Sequence, residues 1–210
     1  MDITWLGHSC FRIKGSQATV ITDPYPPSLG YSLGKQNAQI VTVSHPHPNH
    51  SYIDEIGGEP KLIMGPGEYE ISGVMIIGIP SFHDAAKGGQ RGKNTIYTME
   101  IDEIAICHLG DLGHMLTDEQ VEEIDRVDVL LLPVGGASTI DATLAAEVVR
   151  QLDPKAIIPM HYKTPALSRE LAPVEGFLKE IGVSDITPQA KLSFTKSNLP
   201  TTTQVFLLEY

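Results

Sequence analysis

The sequence predicts a single α/β domain, and three observations carry that reading. Short runs rich in β-branched residues, such as Ile40-Val41-Thr42-Val43 and Val74-Met75-Ile76-Ile77, recur with the length of buried strands. Ala142, Ala145, Val148, Val149 and Leu152 fall at helical spacing, so 141–152 is expected as an amphipathic helix. Four of the strands stop at a break in which a histidine stands. The chain has 210 residues, enough to bury a full core, and no linker or fixed-period repeat divides it.

In chain order, Ile3–Leu6, Cys10–Lys14 and Thr19–Thr22 read as strands separated by Gly7-His8-Ser9 and Gly15-Ser16. Asp23-Pro24 ends the third, and residues 24–37 form a loop long enough to border a site. Ile40–Val43 is the next strand, and Ser51–Ile56 is expected as a short helix. Strands follow at Lys61–Met64 and Val74–Ile79, then a hairpin pairs Asn94–Glu100 with Ile104–Cys107. Thr117 with Gln120 forms a capping box for a helix through Ile124. Val127–Leu132 and Lys155–Met160 are strands on either side of the 141–152 helix. A helix over Val174–Ile181 closes at Gly182, and strands at 191–195 and 204–208 finish the chain.

The chemistry gathers where these strands stop. After Val43 comes Ser44-His45-Pro46-His47-Pro48-Asn49-His50, where prolines end the strand and hold the backbone extended. Side chains two apart then share a side, so His45 and His47 are expected to close on one ion. Further strand ends deliver His83, the cluster His108/Asp111/His114, and His161. Seven of the eight histidines belong to this set. Nitrogen and carboxylate donors without a cysteine pair suit zinc first, with manganese or iron as alternatives, at an open site of one or two ions. An aspartate between two ions can bridge them and help activate a shared water. His8 reads either as a turn histidine or as a ligand. Asp23 reads either as a turn former or as the acid that orients a ligand histidine.

Composition excludes several partners. With 15 basic and 26 acidic residues the net charge is −11, which argues against nucleic acid. Two cysteines give no disulfide framework. No apolar leader or membrane-length run is present, so a soluble cytoplasmic protein without a membrane partner is expected, with self-association left open. The glycine-rich basic loop AAKGGQRGK at 85–93 lacks Walker spacing. Its Arg91, and Lys163 after His161, are candidate anion-binding residues.

The order HxHxxH, lone His, Gly-Asp, late His resembles the metallo-β-lactamase superfamily of metal-dependent hydrolases. The stretches WLGHSCF, ITDP, SFHD, GGQRGKNTI, HLGDLGH, PVGG and IPMHYKT, spanning residues 5–164, resemble its branch related to L-ascorbate 6-phosphate lactonase. The resemblance implies one αββα sandwich over residues 1–210 with the site along one edge of its sheets. It implies one ion on His45, His47 and His83, and a second on His50, Asp111 and His161, with Asp111 shared. It leaves His8, Asp23, His108 and His114 behind the ligands, and makes Asn49, Asp111 and His108 the candidate catalytic residues. One departure stands out: the family motif is HxHxDH, and this chain has Asn49 in place of the acid. A neutral amide that cannot accept a proton should weaken the second ion. The expected function is hydrolysis of a small, anionic ester, lactone or phosphoester by metal-bound hydroxide. The alternative is an impaired metal-binding protein serving as a ligand-binding or sensor module.

Overall fold

The computed structural model of the protein describes residues 1–210. Its first half contains β1 (Asp2–Gly7), β2 (Cys10–Lys14), β3 (Thr19–Thr22), β4 (Gln36–Asn37), β5 (Ile40–Val43), β6 (Ile56–Gly57), β7 (Lys61–Met64) and β8 (Gly67–Ile71). Then come β9 (Val74–Phe82), β10 (Lys93–Ile101), β11 (Ile104–His108), α1 (Asp118–Ile124) and β12 (Val129–Pro133). The chain ends with α2 (Ala142–Leu152), β13 (Ala156–Met160), α3 (Glu175–Glu180), β14 (Leu192–Ser193) and β15 (Gln204–Val205). None of the helices is long and apolar enough to cross a membrane.

Two sheets face each other. One has the order β14-β1-β2-β3-β5-β7, the other β15-β13-β12-β11-β10-β9-β8, and β4 pairs separately with β6. Their facing sides interdigitate: Ile3, Phe11, Val20 and Ile40 from the first sheet meet Ile76, Ile79, Ile96 and Ile106 from the second in one core. Each such side chain stabilises the fold by about 1.5–3 kcal/mol through area removed from water. β12 and β13 are buried along their whole length, because α2 and α3 cover the far side of their sheet. The far side of the first sheet is covered differently. Cys10, Ile21, Val41 and Val43 pack under Tyr25, Leu29 and Tyr31 of the 24–39 loop, whose only helix is the 3-10 turn Pro27–Leu29. The expected two-sheet sandwich is present, with a loop layer on that side.

Strand direction decides where the site forms. β1, β3, β5 and β7 run the same way, since β2 is antiparallel to both β1 and β3 and the rest pair in parallel. In the second sheet β9, β11, β12 and β13 also share one direction. The residues that follow β1, β3, β5, β9, β11 and β13 are therefore the ones that can meet at one edge.

Three local expectations need correction. Ser51–Ile56 is not a helix: Tyr52 N–H donates to Pro24 O at 2.8 Å, and Ile56-Gly57 pairs with Gln36-Asn37. A six-residue helix has too few internal bonds to offset nucleation against such partners. β8 was not foreseen, since GEYEI carries no strong apolar alternation and gains its strand from pairing with β9. β9 also runs on through Pro80 to Phe82. Beyond Gly78 it has lost β8 as a neighbour, so the missing N–H of Pro80 leaves no ladder bond unmade. The capping box forms as expected, with Gln120 N–H donating to Thr117 Oγ1 and Thr117 N–H to Gln120 Oε1.

Tyr97 bolts the sheets together beside the site. Its fully buried hydroxyl, on β10, donates to Val43 O at 2.9 Å and accepts from Gly65 N–H at 2.9 Å, both across in the first sheet. Tyr97→Phe should cost about 1–3 kcal/mol, because it strands the buried Val43 carbonyl and the part-buried Gly65 N–H. A urea denaturation series on the two proteins measures this, and an unchanged midpoint would refute the role.

Candidate metal centre

Six histidines and one aspartate converge at the common strand edge. His8 follows β1, His45, His47 and His50 follow β5, His83 follows β9, Asp111 follows β11 and His161 follows β13. Their donor atoms form three overlapping groups, each with all atoms within 4.8 Å: His45/His83/Asp111, His45/His47/His50 and His8/His50/His161. All but His47 are buried.

Asp111 sits at the middle. Its Oδ2 lies 3.3 Å from the Nε2 atoms of His50, His83 and His161. Two donors each about 2.0–2.1 Å from one tetrahedral ion stand roughly 3.3–3.4 Å apart, so this spacing is that of a ligand set. Protein hydrogen bonds leave much of the set unsatisfied: His45 Nε2, His83 Nδ1, Asp111 Oδ1 and both ring nitrogens of His8 and His161 are buried without a partner. Buried polar atoms left unpaired cost about 1–3 kcal/mol each, and a divalent ion supplies what the protein withholds.

Asp23 sets the tautomers. Its Oδ1 accepts from Ser44 N–H at 2.8 Å, and its Oδ2 accepts from Ser44 Oγ at 2.6 Å and His50 Nδ1 at 2.9 Å. Ser44 Oγ, having given its proton to Asp23, accepts from His45 Nδ1 at 3.0 Å. The network thus places protons on the Nδ1 atoms of His45 and His50 and turns both Nε2 atoms inward, that of His45 with a free lone pair and that of His50 carrying a proton that a metal would displace. Burial and the nearby His50 push His45 down to about 3. Burial also opposes charge on His50, but Asp111 and Asp23 outweigh it and raise that ring to about 10. His8 is driven well below the usual histidine range by burial and by His161 and His50. Asp111 is held well below the carboxylate range, since His161 and His50 overcome its burial.

The backbone is bent to make this possible. His8, Asp23 and His161 are left-handed, with φ of 53°, 39° and 52°, at a cost on the order of 1–3 kcal/mol each. His8 O fixes two of the bends by accepting from Trp5 Nε1 at 3.0 Å and His161 N–H at 3.1 Å. Asn94 holds the aspartate loop, its Oδ1 accepting from Asp111 N–H at 3.0 Å. Gly110 is required there: it has φ of 56°, and a Cβ would stand 2.4 Å from Asn94 Oδ1.

Several expected site residues stand elsewhere. His47 groups with His45 and His50 and lines the same cavity as His45 and His83; its N–H donates to His45 O at 2.8 Å, so the segment turns where an extended course was expected. His108 is fully buried and its Nε2 contacts Ser9 O at 2.9 Å, which keeps it from any substrate. His114 is occupied on both sides: Nε2 accepts from Phe82 N–H at 3.1 Å and Nδ1 donates to Met115 O at 2.6 Å. It fastens its own loop to the end of β9 and offers no lone pair. Asn49 gives its N–H to His47 Nδ1 at 3.2 Å and does not line the cavity at the centre. Lys163 bonds Leu167 O, Arg169 O and Glu170 Oε1, so it clips a loop and points away from the site.

The cavity beside the centre measures about 510 Å³. His45, Pro46, His47, His83, Asp111, Ser138, Arg91, Gly92, Lys93 and Arg169 line it, and none is hydrophobic. Arg91 is where the sequence suggested. The glycine-rich loop that carries it is wound around Asp84, whose carboxylate accepts from the N–H groups of Ala86, Gly88, Gln90 and Arg91. Arg169 was not foreseen. It lies in an irregular segment without a motif, and the one available signal was its place on the loop following His161.

A two-sheet α/β sandwich with a histidine–aspartate centre on its edge defines a metal-dependent hydrolase of the metallo-β-lactamase type. Residues 2–161 match the Beta-lactamase superfamily domain. A UPF0173 metal-dependent hydrolase of Thermoplasma volcanium is 30% identical over 190 residues, covering 78% of this chain and 84% of the relative. One from Pyrococcus horikoshii is 29% identical over 200 residues, covering 81% and 88%. The solved structure of a Thermotoga maritima protein, assigned to the Zn-dependent hydrolases of the metallo-β-lactamase superfamily, is 40% identical with a TM-score of 0.83 over 99% of this chain and 97% of that one. The chain belongs to the UPF0173 metal-dependent hydrolase family of the metallo-β-lactamase superfamily.

Two measurements follow from the centre. Asp23→Asn should lower metal affinity about 10–100-fold, since the amide has one acceptor oxygen and cannot accept from Ser44 N–H, Ser44 Oγ and His50 Nδ1 together; competition with a chromogenic chelator reads it. Metal binding near pH 7 should also release about one proton, the one on His50, because that ring is raised to about 10 while His45 and His8 are already neutral. Calorimetry in buffers of different ionisation enthalpy counts it. Uptake independent of the buffer would contradict the assignment.

Proposed function

We propose that the protein hydrolyses a small anionic ester, lactone or phosphoester in this cavity. The observation that carries the reading is the mouth: in a chain of net charge −11, Arg91, Lys93 and Arg169 face a cavity without one hydrophobic lining residue. The arginine and lysine ion pairs of the protein involve Arg126, Arg150, Lys155, Lys163, Lys191 and Lys196, so these three cations remain available to a ligand. Guanidinium forks bind carboxylate or phosphate in bidentate fashion, while Lys93 acts as a point charge.

His45, His83, His50, His161 and Asp111 would hold metal, with His47 joining at the solvent side. A bound metal supplies Lewis acidity and a water of lowered pKa. Asp111 stays ionised, so its free Oδ1 orients a water by accepting a hydrogen bond and does not serve as a proton store. Ser138, on the cavity wall, can donate to a substrate oxygen. Lys163 acts at one remove, holding the backbone of the loop that presents Arg169. The resemblance of several stretches to the L-ascorbate 6-phosphate lactonase branch supports testing phosphorylated lactones first among substrates. The sensor alternative rests on Asn49, a neutral amide that cannot accept a proton where the superfamily motif has an acid.

The test compares phosphorylated or carboxylated lactones and esters with neutral analogues, in the parent, Arg91→Ala and Arg169→Ala. For anionic compounds each variant should lose about ten- to a hundredfold in kcat/KM, mainly through KM, which is about 1.5–3 kcal/mol per charged contact. Neutral compounds should be hydrolysed poorly by all three. Equal turnover of charged and neutral compounds, untouched by either substitution, would sink the proposal.

A further inference from the structure

His8 is the least explained residue of the centre. It is 1% exposed, left-handed, and both of its ring nitrogens are buried without a partner. A histidine that merely filled a turn would bond at least one of them. Its ring centroid lies 4.3 Å from that of His161 and 4.8 Å from that of His50. His161, also left-handed, likewise lacks a hydrogen-bond partner at either nitrogen. The backbone of the pair is locked by the bond from His161 N–H to His8 O at 3.1 Å. Meanwhile the residue at the position the superfamily motif gives to a ligand is Asn49, a half-buried neutral amide whose backbone N–H is held by His47 Nδ1 at 3.2 Å.

We infer that the second ion of this chain is held by His8, His50 and His161 together with the shared Asp111, His8 taking over the ligand role that position 49 does not fill. The inference rests on the metal-centre reading above and deepens it. The donor atoms of the three histidines lie within 4.8 Å of one another. Asp111 Oδ2 stands 3.3 Å from the Nε2 of both His50 and His161. Three imidazoles and one carboxylate make an N₃O set suited to zinc, iron or cobalt, and poorly suited to magnesium or calcium. The exchange also changes the charge. A carboxylate at position 49 would add a negative charge to the second ion's shell, whereas His8 adds a neutral nitrogen and leaves Asp111 as its one anionic ligand. The weakening of the second site expected from Asn49 alone is thereby offset from a different strand.

The experiment uses the full chain, stripped of metal and reloaded with Zn²⁺, and reads ions per chain by elemental analysis and the second dissociation constant by chelator competition. The parent should bind two ions. His8→Ala should bind one, with the second dissociation constant weakened at least a hundredfold, and Asn49→Ala should still bind two. If His8→Ala does not fold, His8→Gln substitutes for it, and Co²⁺ loaded into the parent should show about three imidazoles per ion by X-ray absorption. Two ions retained in the His8 variant, or the second ion lost in Asn49→Ala, would overturn the inference while leaving the metal centre intact. A parent that binds one ion would overturn it too. A parent that binds none, or that is unaffected by His45→Ala with His83→Ala, would instead overturn the underlying reading of the centre.

Discussion

The whole edge of the sandwich depends on one carboxylate oxygen. Asp111 Oδ2 meets three imidazole nitrogens at the same 3.3 Å, and those rings come from three different strand ends. Moving any one strand along its axis by a residue would break the convergence, so the register of both sheets is tied to this point. Asp23 does the complementary work from behind. It is fully buried, yet its charge is retained, because His50 holds it below the usual carboxylate range against the opposing effect of burial. One carboxylate faces the ligand space and the other faces the scaffold, with His50 bonded between them.

This arrangement stores cost in the backbone and in unpaired polar atoms, and the rest of the molecule offsets it. Three left-handed residues in one site are sustained by a continuous core that spans both sheets, by Tyr97 across their gap, and by the fully buried strands β12 and β13. Such local strain persists where surroundings over-determine it, and it marks the places at which the fold has been given over to chemistry.

The strands and their histidines were legible because apolar runs and breaks are local signals. Cys10–Lys14, Thr19–Thr22, Ile40–Val43 and Lys61–Met64 have the same limits in the sequence reading and in the structure. The capping box of α1 was legible for the same reason. What was hidden depends on partners distant in the chain. The strand β8 exists through β9, and the course of Ser51–Ile56 is set by Pro24 and Gln36-Asn37. His114 and Lys163 looked like site residues by their place after a strand, but each finds its bonds in a neighbouring loop. Arg169 shows the reverse, while His8 reads in the sequence either as a turn histidine or as a ligand. Arg169 stands in no spacing pattern that announces it, and only the loop clipped by Lys163 brings it in; His8 is placed by the bond from His161 N–H to its carbonyl.

The scatter of the donors along the chain has a consequence for how the molecule comes into being. They run from residue 8 to residue 161 and belong to both sheets, so no short segment carries the centre by itself. Most of the chain must be in place before the last donor arrives, which makes the centre a late product of folding and an unsuitable nucleus for it. Once formed, an ion there would tie the beginning of the chain to its last third, like a crosslink closed after assembly. Such a tie acts chiefly on the rate at which the sheets part, lengthening the lifetime of the folded protein more than hastening its formation.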